Sequence, residues 1–493
     1  MDLNIIFQKI KEKMATDDKA FVLIVFCFFI VALAKVFFGF VPWYFLIVMM
    51  PMFFASLLHP KAGLFGLIFL TVLFERFFTL EALQFGRDIV KLYPLDIVLF
   101  GVYGGALMKM ISTKVHLTLD IIRVFFFLFL ILVSVYLGAS FVGFGSQDIS
   151  VAVSTWKNYV FYGMLFFVMP LILEDESDVK RLVNYFLSAV IVGIIFLFIG
   201  IVRGEGLWTE FTPLSTGGIR LLAFPHAFYF SLAFLGLFVT ETFWAKGRYR
   251  AFLWMMLATF MFGILGSLMR HIWIGMFSAL CFSYAFLLST PLRQGAKRMF
   301  SIGLTFVLIL FSLAFFLTLT FPTSTVGHFT YSLVETVSIR FSSIGSNTDT
   351  SISWRGSTWD SAFFTLSENP VFGLGFGVRI PIESGDYRDF VEIRNIHNSW
   401  LSLLVQMGIL GFITFLSFFG VLVWRVWKAF SVFPFLSALR IALLTIVFYQ
   451  SIVFFAQPYL ETNLLGIFFW FTLGLMYTLL SLVKKNSVGT RKL

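Results

Sequence analysis

Arg220, Arg270, Arg355 and His397 are the residues whose types and placement could do chemistry in this chain. Arg220 lies in STGGIRLLAF, Arg270 in LGSLMRHIWIG and His397 in IRNIHNSWLSLLVQMGILG, each at the edge of an apolar run rather than within one, and Arg355 lies in TSISWRGSTWD within the long loop. A guanidinium is a planar, permanently charged fork that holds a phosphate through two hydrogen bonds. An imidazole, with an ordinary pKa of about 6.5, accepts a proton at near-neutral pH. Three such forks could hold a pyrophosphate as it departs, while the imidazole deprotonates an attacking hydroxyl. Taken singly, an arginine at a membrane boundary reads as a snorkelling anchor. Arg220, Arg270 and His397 come from separate parts of the chain yet share one depth on one side, with Arg355 in a loop that can fold over them.

That shared depth follows from the elements around them. Of 493 residues, 59% are hydrophobic, 69 are Phe and only 13% are charged, about half the ~25% charge of an ordinary soluble domain. The charges gather between apolar runs long enough, at roughly 18 to 24 residues, to cross a hydrocarbon core of ~30 Å as helices. The expected fold is an all-α polytopic integral membrane protein. About 14 transmembrane helices are expected, centred near residues 29, 49, 71, 101, 132, 166, 192, 232, 259, 280, 310, 411, 448 and 472. With the N-terminus inside, 23 of the 36 Lys and Arg fall on the cytoplasmic side, and five of the other 13 belong to one long loop. Long loops are excluded from the positive-inside count. The orientation read from this bias places both termini in the cytoplasm and the long loop outside.

The resulting organisation is a cytoplasmic amphipathic stretch at 1–20, helices 1–11 over 21–320, the external loop at 321–396, helices 12–14 over 397–483 and a cytoplasmic tail at 484–493. No small-residue cleavage site follows MDLNIIFQKIKEKM, so no removable leader is expected. A loop of 76 residues among otherwise short connections is expected to be functional rather than a tether. Within it, residues 350–370 carry a Thr350 or Ser351 cap, a helical pattern and an Asn369-Pro370 stop. Ile352, Trp359, Ala362, Phe363 and Leu366 share one face at helical spacing. Arg355 falls on that same face, where its donors need a carboxylate, a route to water or an anionic ligand. The glycines of VFGLGFGVRI read as a tight turn back to the membrane, because no strand–helix unit surrounds them.

Several function classes fall away. The net charge of +10 resides mostly on the flank that anionic lipid attracts, so nucleic acid is not implied and membrane lipids are. Cys27 and Cys281 both lie within apolar runs and carry no redox information. Asp386 and Asp389 read as a solvated face, and His226, His271 and His328 lack metal-ligand spacing relative to one another, so neither a metal nor another cofactor is expected.

The segments WRGSTWDSAFFTLSENPVFGLGFG at 354–377 and HNSWLSLLVQMGILG at 397–411 resemble the O-antigen ligase and polymerase superfamily of bacterial envelope glycosyltransferases. They are similar to that family's loop helix, its Pro-x-x-Gly-x-Gly turn and its His-Asn opening of the next span. The resemblance implies a metal-independent, inverting glycosyltransferase of the bacterial inner membrane. Such an enzyme moves a glycan from undecaprenyl pyrophosphate to an acceptor hydroxyl on the periplasmic side. By the same resemblance His397 is the catalytic histidine, and Arg220, Arg270 and Arg355 bind the pyrophosphate. The chain reads LMRH at 268–271 where many members have Ser-Arg. The implied partners are a lipid-linked oligosaccharide donor, a glycan or lipid A-core acceptor and a possible chain-length regulator.

Two other classes compete with this reading. A multi-span transporter of an anion or polysaccharide intermediate would place its ionisable groups near the midplane on broken helices, whereas these charges sit at the outer edge. Lys35 and the Glu75-Arg76 pair are the deepest candidates for such groups. A scaffold for an envelope complex would leave the inward Arg355 without a reason.

Overall fold

The computed structural model describes residues 3–39, 41–73, 82–85, 90–113, 119–144, 148–203, 221–222, 224–244, 248–342, 350–384, 387–431 and 433–490. Proline, which lacks the N–H that a first helical turn leaves unused, opens several of the helices there, at Pro42, Pro60, Pro94 and Pro434. Side-chain caps open others: Asp120 accepts from the Arg123 amide and Asp148 from the Val151 amide.

Before the long loop the helices are α1 (Leu3–Phe38), α2 (Pro42–Leu58), α3 (Pro60–Leu73), α4 (Pro94–Ser112), α5 (Ile121–Phe141), α6 (Ile149–Trp156), α7 (Met164–Ile172), α8 (Glu176–Arg203), α9 (Phe224–Trp244), α10 (Arg248–Gly266), α11 (Arg270–Phe282) and α12 (Thr290–Thr320). A hairpin of β1 (Leu83–Phe85) and β2 (Val90–Leu92) lies between α3 and α4. A π-helical turn, Lys157–Phe161, joins α6 to α7. The loop contains α13 (Thr325–Ser342), α14 (Thr350–Leu366) and an antiparallel hairpin of β3 (Arg379–Ser384) and β4 (Tyr387–Glu392). The chain then finishes with α15 (Ser399–Lys428), α16 (Pro434–Phe454) and α17 (Asn463–Thr490).

Each of the fourteen expected centres falls within a helix. Among the described residues six helices are long and apolar enough to cross a membrane, namely those within α4, α5, α8, α15, α16 and α17, and five shorter apolar helices accompany them. Phe26, Phe29, Leu33 and Phe37 of α1 are 46–74% exposed, a surface that only hydrocarbon solvates without penalty. The chain is a polytopic membrane protein.

Three features depart from the sequence reading. Among the described residues two hairpins break the all-helical expectation, and the strands of the first, three residues each, are too short for a period-two pattern to stand out. The expected amphipathic stretch at 1–20 continues into the first apolar run as the single helix α1. The segment read as the start of one span from 397 to 411 is interrupted at Gly408, which has φ +61° inside α15.

The deepest packing lies among α5, α7, α15 and α17. Phe126 and Phe129 of α5, Phe166 of α7, Phe415 and Phe418 of α15 and Trp470 of α17 are all buried and in mutual ring contact. A second, smaller core forms under the loop. There Ala362 and Leu366 of α14, Ile380 of β3, Ile393, Ile396 and the α15 residues Leu401 and Val405 are buried together. The loop's α14 and β3 are thus seated on the first turns of α15.

Candidate functional site

His397 stands between a 3₁₀ turn (Ile393–Asn395) and the cap of α15. The Asn398 side chain accepts from the amides of Trp400 and Leu401, both at 3.1 Å, and so starts the helix. To reverse direction in one residue the chain places His397 in the left-handed region, φ +56°, a conformation that a non-glycine residue holds only when its surroundings impose it. Those surroundings are specific. Trp359 Nε1 of α14 donates to the Ile396 carbonyl at 2.9 Å, and Ser402 Oγ donates to the Ile393 carbonyl at 2.9 Å.

The imidazole meets the Trp354 ring edge-on at 5.1 Å, and the Arg355 guanidinium acts on it as the neighbouring charge. Burial first, and then Arg355, depress the His397 pKa to about 4, while hydrogen bonding by the Gln457 side chain pulls it back upward. Both main causes penalise the imidazolium. The ring is therefore held in its neutral form, with both causes opposing its protonation. Its Nδ1 atom is buried and takes no hydrogen bond among the described residues.

The structure brings two of the four sequence-predicted residues together, Arg355 and His397. On α14, Ala362 and Leu366 are buried and Trp359 is half-buried as its helical spacing requires, but Phe363 is 54% exposed. The inward face is therefore narrower than the spacing suggested. Arg270 is half-buried as the first residue of α11, and its neighbour His271 meets the Tyr459 hydroxyl through Nε2 at 2.7 Å. Arg220 lies outside the described residues. Leu221, beside it, donates its amide to the Gly266 carbonyl at 2.9 Å, in the turn that leads to Arg270. Of the deep transporter candidates, Glu75 and Arg76 lie outside the described residues, as does the Lys35 side chain.

Sequence reading missed the residues that join these pieces. The α16–α17 connection, AQPYLET over 456–462, supplies Gln457 to His397 and Tyr459 to His271. Ser399 Oγ fastens this connection by donating to the Gln457 carbonyl at 2.9 Å and accepting from the Leu460 amide at 3.2 Å. A polar stretch between two apolar runs was the available signal.

The second missed feature is the break in α15. Around Gly408 the helix loses its own hydrogen bonds, and the glycine turn of the loop replaces them. Leu374 and Gly375 donate to the carbonyls of Val405 and Gln406 at 2.9 Å, while Ile409 and Leu410 donate to those of Pro370 and Val371 at 2.9 and 3.1 Å. The Tyr136 hydroxyl from α5 lies 2.5 Å from the Phe372 carbonyl and 3.1 Å from that of Met407. Irregular backbone inside a membrane protein persists only where such partners are supplied. The glycine-rich stretch is accordingly a plug in a broken helix, and a break of this kind no longer separates this chain from transporters. Among the described residues no three His, Cys, Asp or Glu side chains converge as a metal-holding group.

Residues 251–416 match the family model described as O-Antigen ligase, a stretch that includes Arg270, Arg355, His397 and the plugged break but neither Arg220 nor the α16–α17 connection. No curated protein matches the chain.

Proposed function

We propose, from the premise that residues 251–416 form an O-antigen ligase domain, that this chain transfers a glycan from a lipid-linked pyrophosphate to an acceptor hydroxyl. His397 takes the hydroxyl proton; the acceptor oxygen bonds to the anomeric carbon as that carbon's bond to pyrophosphate breaks, with inversion. Arg355, Arg270 and Arg220 hold the pyrophosphate as its charge grows. Ligase and polymerase differ only in the acceptor, and undecaprenyl pyrophosphate on the periplasmic face of a bacterial inner membrane is the donor this reading takes. The observation that carries it is the placing of the His397 imidazole against Trp354 and beside the Arg355 guanidinium at the start of α15, inside the matched stretch.

The test uses purified full-length protein with undecaprenyl-pyrophosphate glycan and candidate acceptors. Wild type transfers, and His397→Ala loses transfer by about 10²-fold or more. Full activity in that variant overturns the role of His397. Arg270→Lys and Arg220→Lys keep charge but lose the fork, and donor binding retained at wild-type level in both removes the pyrophosphate clamp. The break at Gly408 is the one observation favouring a transporter, and flux of a glycan intermediate in proteoliposomes without any transfer would select that reading.

A further inference from the structure

Glu461, in the connection between α16 and α17, is buried at 7% exposure and is not part of the chemistry above. A buried carboxylate is costly unless its oxygens are satisfied, and here they are satisfied from two directions. Gln406 Nε2 of α15 donates to both oxygens, at 3.0 and 3.3 Å. The Tyr159 hydroxyl donates at 3.2 Å from the π-helical turn, and Thr155 Oγ1 donates at 3.4 Å from α6. The backbone of Glu461 is held as well, since Asn158 Nδ2 donates to its carbonyl at 2.6 Å. Asn158 in turn accepts from Trp470 Nε1 at 3.0 Å.

Thr155 apart, the donors lie in or beside irregular backbone. Tyr159 and Asn158 face Glu461 from the extra-wide turn over Lys157–Phe161, and Gln406 is two residues from the break at Gly408. We propose that Glu461 is a positioning residue, a pin that ties the 456–462 connection to α6, the π-helical turn and the first half of α15, so that Gln457 is held at His397 and Tyr459 at His271. This rests on the reading of His397 as the proton acceptor. The charged and polar groups that act on that histidine are Arg355 of α14 and Gln457 on the connection, while Arg394, three residues before it, is paired with Glu392 at 2.7 Å. Arg394 also acts on Glu461, whose pKa burial raises to about 6.

The experiment compares Glu461→Ala with Glu461→Gln in the full-length protein, reading two quantities. The first is kcat and donor KM for glycan transfer. The second is the rate at which diethyl pyrocarbonate modifies His397, with buried His226 as the internal measure of an intact fold. Glu461→Ala is expected to lower kcat about 10- to 100-fold, because a misplacement of about 1 Å is that costly. Donor KM changes less than kcat, because Glu461 bonds none of the three arginines directly. His397 modification rises severalfold with His226 unchanged. Glu461→Gln keeps the size and an accepting oxygen, and recovers most of both.

Unchanged kcat and unchanged His397 reactivity in Glu461→Ala overturn the proposal. So does a Glu461→Gln variant as impaired as the alanine, since that result assigns the carboxylate a charge or proton role instead. If His226 becomes reactive in the alanine variant, Tyr159→Phe with Gln406→Leu removes the donors while keeping Glu461, and is judged by the same criteria. A wild-type protein with no transfer activity defeats the glycosyltransferase reading alone; the reactivity comparison still decides whether Glu461 positions His397.

Discussion

Gly373 and Gly408 meet backbone to backbone: a Cβ on Gly373 would lie 2.4 Å from the Gly408 amide nitrogen, and a Cβ on Gly408 would lie 2.5 Å from that of Gly373. Both residues have positive φ, +70° and +61°. No L side chain fits either position, because the obstructing atoms are backbone and cannot rotate away. Gly373→Ala or Gly408→Ala is expected to destabilise the protein by about 3 kcal/mol or more, combining the left-handed penalty with the clash. Thermal unfolding in detergent measures this, and a Tm within a degree of wild type in both variants would contradict the plug.

The depressed pKa of His397 sets an acid limb. The folded value of about 4 lies below the unfolded value of about 6.5, so the unfolded chain binds more protons between the two. The stability this group contributes is complete above pH 6.5 and is lost as pH falls through 4, by at most about 3 kcal/mol. The pH profile of kcat/KM should likewise hold down to near pH 4 rather than turning at 6.5. Arg355→Gln removes the second cause and should move that limb upward; a limb that stays in place detaches Arg355 from His397.

Glu461 has the opposite sign. Its folded pKa of about 6 exceeds the ordinary carboxyl value of about 4.3, so its contribution is present at low pH and is lost as pH rises through 6. Relative to wild type, Glu461→Gln should gain about 2 kcal/mol of stability between pH 4.5 and 7. Denaturation at those two pH values gives the difference directly, and a difference that does not change with pH would place Glu461 in water.

Lys157 and Asp96 form a buried ion pair at 2.5 Å, with the Asp96 side chain 1% and the Lys157 side chain 14% exposed. Tyr162 donates to the same carboxylate at 2.8 Å. Lys157→Met strands the carboxylate and should cost about 3–5 kcal/mol, whereas adding Asp96→Leu should restore part of that loss. A double-mutant cycle with no coupling would show the pair to be incidental.

The helices were legible because this chain's solvent is hydrocarbon. Apolar length alone marks a crossing, and all fourteen centres landed inside helices. The α14 helix was legible from its spacing and its Asn369-Pro370 stop, although Thr350, expected as a cap, is its first helical residue. What escaped were features that depend on distant partners. Gly408 looks like any glycine in an apolar run, and its break exists because residues 370–375 fill it. Gln457, Tyr459 and Glu461 are unremarkable polar residues between two spans until the fold sets them against His397, His271 and Gln406. Arg355 and His397 could be named separately from local pattern, but 42 positions of chain part them. Their meeting is tertiary.

The plugged break also constrains how the protein is made. An α15 without residues 370–375 beside it carries two amides and two carbonyls with nothing to bond, each costing several kcal/mol in hydrocarbon. The ribosome delivers the plug before it delivers α15. A chain whose loop lay on the face of the membrane away from the break would meet the bilayer with those four groups bare, so the contacts that seat the loop also select the side on which it lies.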